Sequence, residues 1–136
     1  MKKTLILVIA ALALPSVALA AKPAHSAQAN PKVLYILKGK LSAYTAYDKV
    51  TSTNGSITIL VSSANYHGKA LKAQSLTFAV TAKTVVTLPK HKHTVTDNDL
   101  GTVKVQAALR IPAADLAATL QASPARAIID TGVKGR

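Results

Sequence analysis

From Val33 to Leu109 the chain alternates apolar and polar residues with a period of two, and this limits its folds more than any other feature. In VLYILKGKLSAY, Val33, Tyr35, Leu37, Leu41 and Ala43 share one face. Leu34, Ile36, Lys38, Lys40, Ser42 and Tyr44 share the other. SITILVS sends Ile57, Ile59 and Val61 one way, and SLTFAVT does the same with Leu76, Phe78 and Val80. TVVTL is a short fourth run. TVKVQAALR sets Val103, Val105, Ala107 and Leu109 against Lys104, Gln106, Ala108 and Arg110. Successive side chains of a strand point to opposite faces, so the pattern predicts antiparallel strands with one buried and one wet face.

The residues between the runs extend the reading. Asn54-Gly55 predicts a tight hairpin turn, since both tolerate positive φ. Gly39 predicts a bend in a first strand too long to stay flat. Pro112 at a helix start, Asp115 in the first turn and Leu116 with Leu120 predict a short helix, which Ser123-Pro124 restarts and Gly132 ends. The expectation is a mainly β fold: five short strands in a small, partly closed antiparallel barrel, with a short C-terminal helix across one end.

The first twenty residues read as a leader. Lys2 and Lys3 precede an apolar run from Leu5 to Leu14, and Ala18-Leu19-Ala20 offers the small-x-small pattern of a cleavage site. A ten-residue run is far shorter than the ~20 a spanning helix needs. The organisation predicted is a signal peptide over 1–20, a tether over 21–32, a β-barrel domain over 33–110, a helical segment over 111–132 and a tail over 133–136. Cleavage after Ala20 implies export to the periplasm, wall or medium, with no transmembrane segment left in the mature chain.

Export permits disulfides, yet the chain has no cysteine. Stability must come from an apolar core, and thiol nucleophiles, thiolate metal sites and redox motifs are excluded. Without Lys2 and Lys3, the 17 basic residues become 15 against 5 acidic, a formal +10. Such a surface attracts polyanions.

The segments LKGKLSAY, NGSITILV, QSLTFAV and DLGTVKVQA, in that order, resemble small exported bacterial proteins of unknown function with an OB-like barrel. The resemblance spans roughly 33–110. It implies an OB-like form for the five-stranded barrel and an exported binding module, with no activity or cofactor. The chain departs from the usual OB arrangement in having no evident helix between its third and fourth strands.

Two places carry candidate chemistry. In KHKHTVTDND, His91 and His93 at i, i+2 would share a face, and Asp97, Asp99 and Gly101 form D-x-D-x-G. Imidazoles and carboxylates suit divalent metals, but Lys90 and Lys92 are interleaved, a calcium loop lacks its distal carboxylate, and zinc wants about four ligands. A polar loop built on Asx turns is the better reading, so no resident metal or other cofactor is expected; the alternative is an exported divalent-metal-binding protein using His91, His93, Asp97 and Asp99 of the 91–99 loop. The second place is a basic face of Lys38, Lys40, Lys104 and Arg110, suited to anionic cell-envelope polymers. Nucleic acid fits it less well, since aromatic residues make up only 4% of the chain and offer little for bases to stack on. Two lesser motifs remain. AIIDTG at 127–132 resembles half of an aspartic-protease site, but one copy so near the chain end has no partner carboxylate. Tyr66 and His67 form an aromatic loop pair. With no nucleophile elbow or carboxylate pair evident, the sequence points to a binding module without enzymatic activity.

Overall fold

The alternating runs form a single six-stranded sheet in the computed structural model, which describes residues 30–133. Strand β1 spans Lys32–Thr45, β2 Gly55–Ala64, β3 Ser75–Val80, β4 Val85–Thr87, β5 Leu100–Ala108 and β6 Ala125–Gly132. A 3-10 turn at Tyr66–Leu71 joins β2 to β3, and another at Ala113–Asp115 leads into the one α-helix among the described residues, α1, Leu116–Gln121. The spatial order is β3-β2-β1-β5-β6-β4. All pairs are antiparallel except β4 with β6, which run parallel. The leader, nearly all of the tether and residues 134–136 lie outside the described residues.

The fold is mainly β, as expected, but the five-stranded OB-like antiparallel barrel is not what forms. There are six strands, one pair is parallel, and the sheet does not close. The expected helical segment over 111–132 is helical only to Gln121; Ala125–Gly132 is a strand. Ser123-Pro124 ends the helix instead of restarting it, and the β-branched pair Ile128-Ile129 suits a strand flanked by β4 and β5. Leu116 and Leu120 bury one face of α1, which lies against β3 and β5. Gln121 Oε1 accepts the Thr77 N–H at 2.9 Å, so a helix side chain caps a backbone donor on the open edge of β3.

Tyr35, Leu37 and Leu41 of β1 are buried, with Ile57, Ile59 and Val61 of β2, Leu76, Phe78 and Val80 of β3, and Val103 and Val105 of β5. Their alternate neighbours face solvent, so the period-two pattern reports the core directly. Alternation fails after Leu41. Ala43 has φ +50°, and the register slips between Ser42 and Thr45. Tyr44 therefore packs against the core instead of joining Lys38 and Lys40 outside. The Asn54-Gly55 turn is also displaced, since Gly55 already belongs to β2. The connection is instead closed by an Asp48–Thr53 bridge, with Asp48 Oδ1 accepting the Val50 N–H at 2.8 Å. Hydrogen bonds from the Val50 N–H, the Thr51 hydroxyl and the Thr51 N–H hold the Asp48 carboxyl below the usual range. That support is present above the ordinary carboxylate pKa and is lost as the pH falls.

Gly39 bends the first strand. The β1–β2 register shifts between Lys38 and Gly39, and a Cβ at Gly39 would run into the Leu60 carbonyl oxygen. Gly39→Ala is therefore expected to cost about 1–3 kcal/mol, as overpacking does, checked by urea unfolding; unchanged stability would show that the bend does not need glycine.

Burial raises the pKa of Tyr35, whose hydroxyl donates to the Ala108 carbonyl at 2.7 Å, and that of Tyr44. A raised pKa means the folded state holds its proton longer than the unfolded chain. The stabilisation is complete below about pH 10 and is lost as pH rises through the folded-state value. Phenolate absorbance should show these two tyrosines ionising late, with unfolding beginning above pH 10.

Candidate functional site

The polar loop between β4 and β5 is built from turns. Lys92 N–H donates to Pro89 O at 3.1 Å across a turn whose third residue, His91, has φ +70°. Asp99 N–H donates to Thr96 O at 3.2 Å across another, with Asn98 at φ +73°. Both have positive φ where type II turns need it, and Asn tolerates that conformation well. His91 and His93 are exposed. Asp97 Oδ1 accepts the Ala43 N–H at 2.9 Å, which ties the loop to the end of β1. Leu41 N–H to Asp99 O at 2.7 Å and Asn98 N–H to Leu41 O at 2.8 Å continue that tie. Among the described residues no three His, Cys, Asp or Glu side chains gather as metal ligands.

What sequence reasoning missed is the role of Lys92. Its ammonium bridges two interior carboxylates, pairing with Asp99 Oδ2 and, at 3.1 Å, with Asp130 Oδ2. Asp99 is 1% exposed and Asp130 3%. Thr96 N–H donates to Asp99 Oδ2 at 3.3 Å and Gly132 N–H to Asp130 Oδ1 at 2.7 Å, so backbone donors complete the pair. Asp130 of the Asp-Thr-Gly motif thus lies near the end of a strand, where a helix end was expected, and it is held by Lys92. Nothing local in the sequence signals this, because Lys92 and Asp130 lie 38 residues apart.

The predicted basic residues divide. Paired residues share a face, and Lys38 pairs with Thr102 while Lys104 pairs with Ile36. Lys38, Lys40 and Lys104 therefore occupy one outer face, with Lys38 and Lys104 diagonal neighbours about 7–8 Å apart at the backbone. Arg110 lies beyond the end of β5, past Leu109, whose N–H donates to Pro31 O at 2.8 Å. That puts it roughly 20 Å from Lys38, beside the start of β1. Lys32 heads the same outer row of β1. Arg126, on a strand read as helix, joins the face too, its Nη1 donating to Gln106 Oε1 at 2.6 Å. Reading 125–132 as a strand would have revealed it.

The Tyr66–His67 pair makes contacts within the chain, with Tyr66 79% exposed. His67 packs edge-on against both Tyr35 and Tyr66, and Lys69 Nζ sits 5.3 Å from the centre of the Tyr66 ring. Asn65 beside them extends the sheet, its side chain bonding Leu34 O at 2.8 Å and the Ile36 N–H at 3.2 Å. Compared with protein-family models, with curated proteins and with solved structures, the chain matches none.

Removing one partner of a buried ion pair leaves an uncompensated charge, at a cost of about 3–5 kcal/mol. Lys92→Gln is accordingly expected to destabilise by about 3 kcal/mol, near the low end because the lysine is partly exposed. Adding Asp99→Asn and Asp130→Asn should recover most of the loss. Equal destabilisation of the single and triple variants in urea would remove the ion cluster from the account.

Proposed function

We propose that the protein is an exported, non-enzymatic, envelope-associated module that binds anionic polymers on the outer face of its sheet. The observation that carries this reading is the segregation of charge. All five acidic residues of the chain lie off that face. Asp99 and Asp130 are interior and paired with Lys92. Asp48 and Asp97 lie in loops and accept backbone N–H groups, and Asp115 closes the turn before α1. The cations left outside have no carboxylate among them to screen. Lys38 and Lys40, two residues apart on a strand, are about 7 Å from each other, within the ~8 Å Debye length of physiological salt. They and Lys104 act on a polyanion jointly.

Aliphatic side chains lie among the cations: Leu34 of β1 is 38% exposed and Leu60 of β2, opposite Lys40, is 48%. Charged rows with aliphatic spacers suit a flexible polymer whose repeating feature is negative charge. They offer no aromatic platform for bases, so cell-envelope polymers fit better than nucleic acid. Among the described residues no helix is long and apolar enough to cross a membrane.

Retention on immobilised heparin at low salt tests the proposal. Each lost anion contact lowers the slope of log affinity against log salt by about 0.7–0.9. Lys38→Gln/Lys40→Gln/Lys104→Gln should lower it by about 2–3 and elute earlier. Absent retention, or equal retention of the triple variant, would overturn the proposal.

A further inference from the structure

At the far end of the sheet from Lys40, a cleft of about 400 Å³ opens between the start of β1, the 81–84 turn and the beginning of β6. Three cations line it, Lys32, Lys83 and Arg126, with the hydroxyls of Thr81 and Ser123 and the Gln106 amide. No carboxylate does. The volume is in the range of small-ligand sites.

Its walls are tied together. Thr84 N–H donates to Thr81 O at 3.0 Å, Thr81 N–H to Thr84 Oγ1 at 2.9 Å, and Lys83 N–H to Thr81 Oγ1 at 3.2 Å. The Thr84 hydroxyl in turn donates to Ala125 O at 2.6 Å, fixing the Lys83 turn to the strand that carries Arg126. Gln106 Oε1 holds Nη1 of Arg126 at 2.6 Å and leaves the rest of the guanidinium fork to other acceptors. A planar fork suits two oxygens of a tetrahedral anion, while lysine ammonium groups add charge without directional demand. Pro124 and Ala125 supply an apolar wall against which an organic carrier would rest.

We infer that this cleft is a discrete oxyanion site, taking the phosphate or sulfate monoester of a small group, with Arg126 and Lys83 on its oxygens and Gln106 positioning Arg126. The site takes Lys32, Gln106 and Arg126 from the opposite end of the same outer face and shares none of Lys38, Lys40 and Lys104.

Amide and arginine-side-chain NMR shifts, followed during titration of the mature protein with inorganic phosphate and then phenyl phosphate at low ionic strength, provide the test. Saturable shifts confined to Thr81–Thr84, Gln106 and Ser123–Arg126 are expected. Lys83→Gln/Arg126→Gln should weaken binding at least tenfold, and Gln106→Ala by a smaller factor. Lys38→Gln/Lys40→Gln/Lys104→Gln should bind both probes unchanged even if it no longer binds heparin. Tighter binding of phenyl phosphate assigns an ester, and equal binding assigns the free ion; both uphold an oxyanion site. Linear shifts spread over all surface lysines, or equal weakening by the two lysine-altering variants, would overturn it. Lys83 and Arg126 are exposed, so their substitution is expected to leave the fold intact, checked by unchanged core signals.

Discussion

Strand β1 is the element on which the architecture rests, because it pairs along both edges, with β2 on one side and β5 on the other. A strand in that position cannot satisfy its backbone in any other way, and a slip of one residue would turn every apolar side chain outward. Tyr35, Leu37 and Leu41 fix the register by being almost wholly buried. The same alternation projects Lys32, Lys38 and Lys40 on the opposite side. Core and basic surface are one constraint seen from two faces. Gly39 lets so long a strand curve, since only a residue without a Cβ admits the approach of the Leu60 carbonyl.

The interior carboxylates follow from the same geometry. β5 and β6 pair, with Gly101 opposite Asp130, and Leu41 accepts the loop backbone at Asn98. That brings Asp99 and Asp130 to one end of the core, where two unpaired charges would be costly. Lys92 meets both. The loop that carries it is consequently pinned at its middle as well as at Asp97. A sequence with only five acids thus places two of them in the interior, away from the outer face and beside a lysine. The basic face is more strongly charged than composition alone implies.

How much of this was legible follows from where local pattern and tertiary pairing agree. The inward faces of β2, β3 and β5 were readable because each alternates without interruption and each packs on one core. Tyr44 was misplaced because Ala43, with its positive φ, flips the alternation, and an alanine gives no warning of that conformation. Lys92 read as a repellent beside two histidines because its partners are supplied by a turn and a distant strand. Lys38, Lys40 and Lys104 were brought together as expected, since strand pairing preserves faces. Arg110 was not, because it falls beyond the end of the ladder.

Strand β6 shows why its own segment resisted reading, and what the irregularity accomplishes. Ala125 is buried, Arg126 is exposed, Ala127 is half-buried and Ile128 is buried, so the period of two is broken. The break is a bulge: Val105 pairs with Ala125 and Lys104 with Ala127, leaving Arg126 as the extra residue. Alanines flanking an arginine with irregular spacing imitate a helix. Without the bulge, residue 126 would stand opposite Val105 and point into the core. The extra residue re-aims the guanidinium to the outer face, where Gln106 receives it, while Ile128 and Asp130 keep their interior positions. One inserted position therefore hides the strand from a periodicity argument and delivers to the cleft the one side chain whose geometry matches an oxyanion.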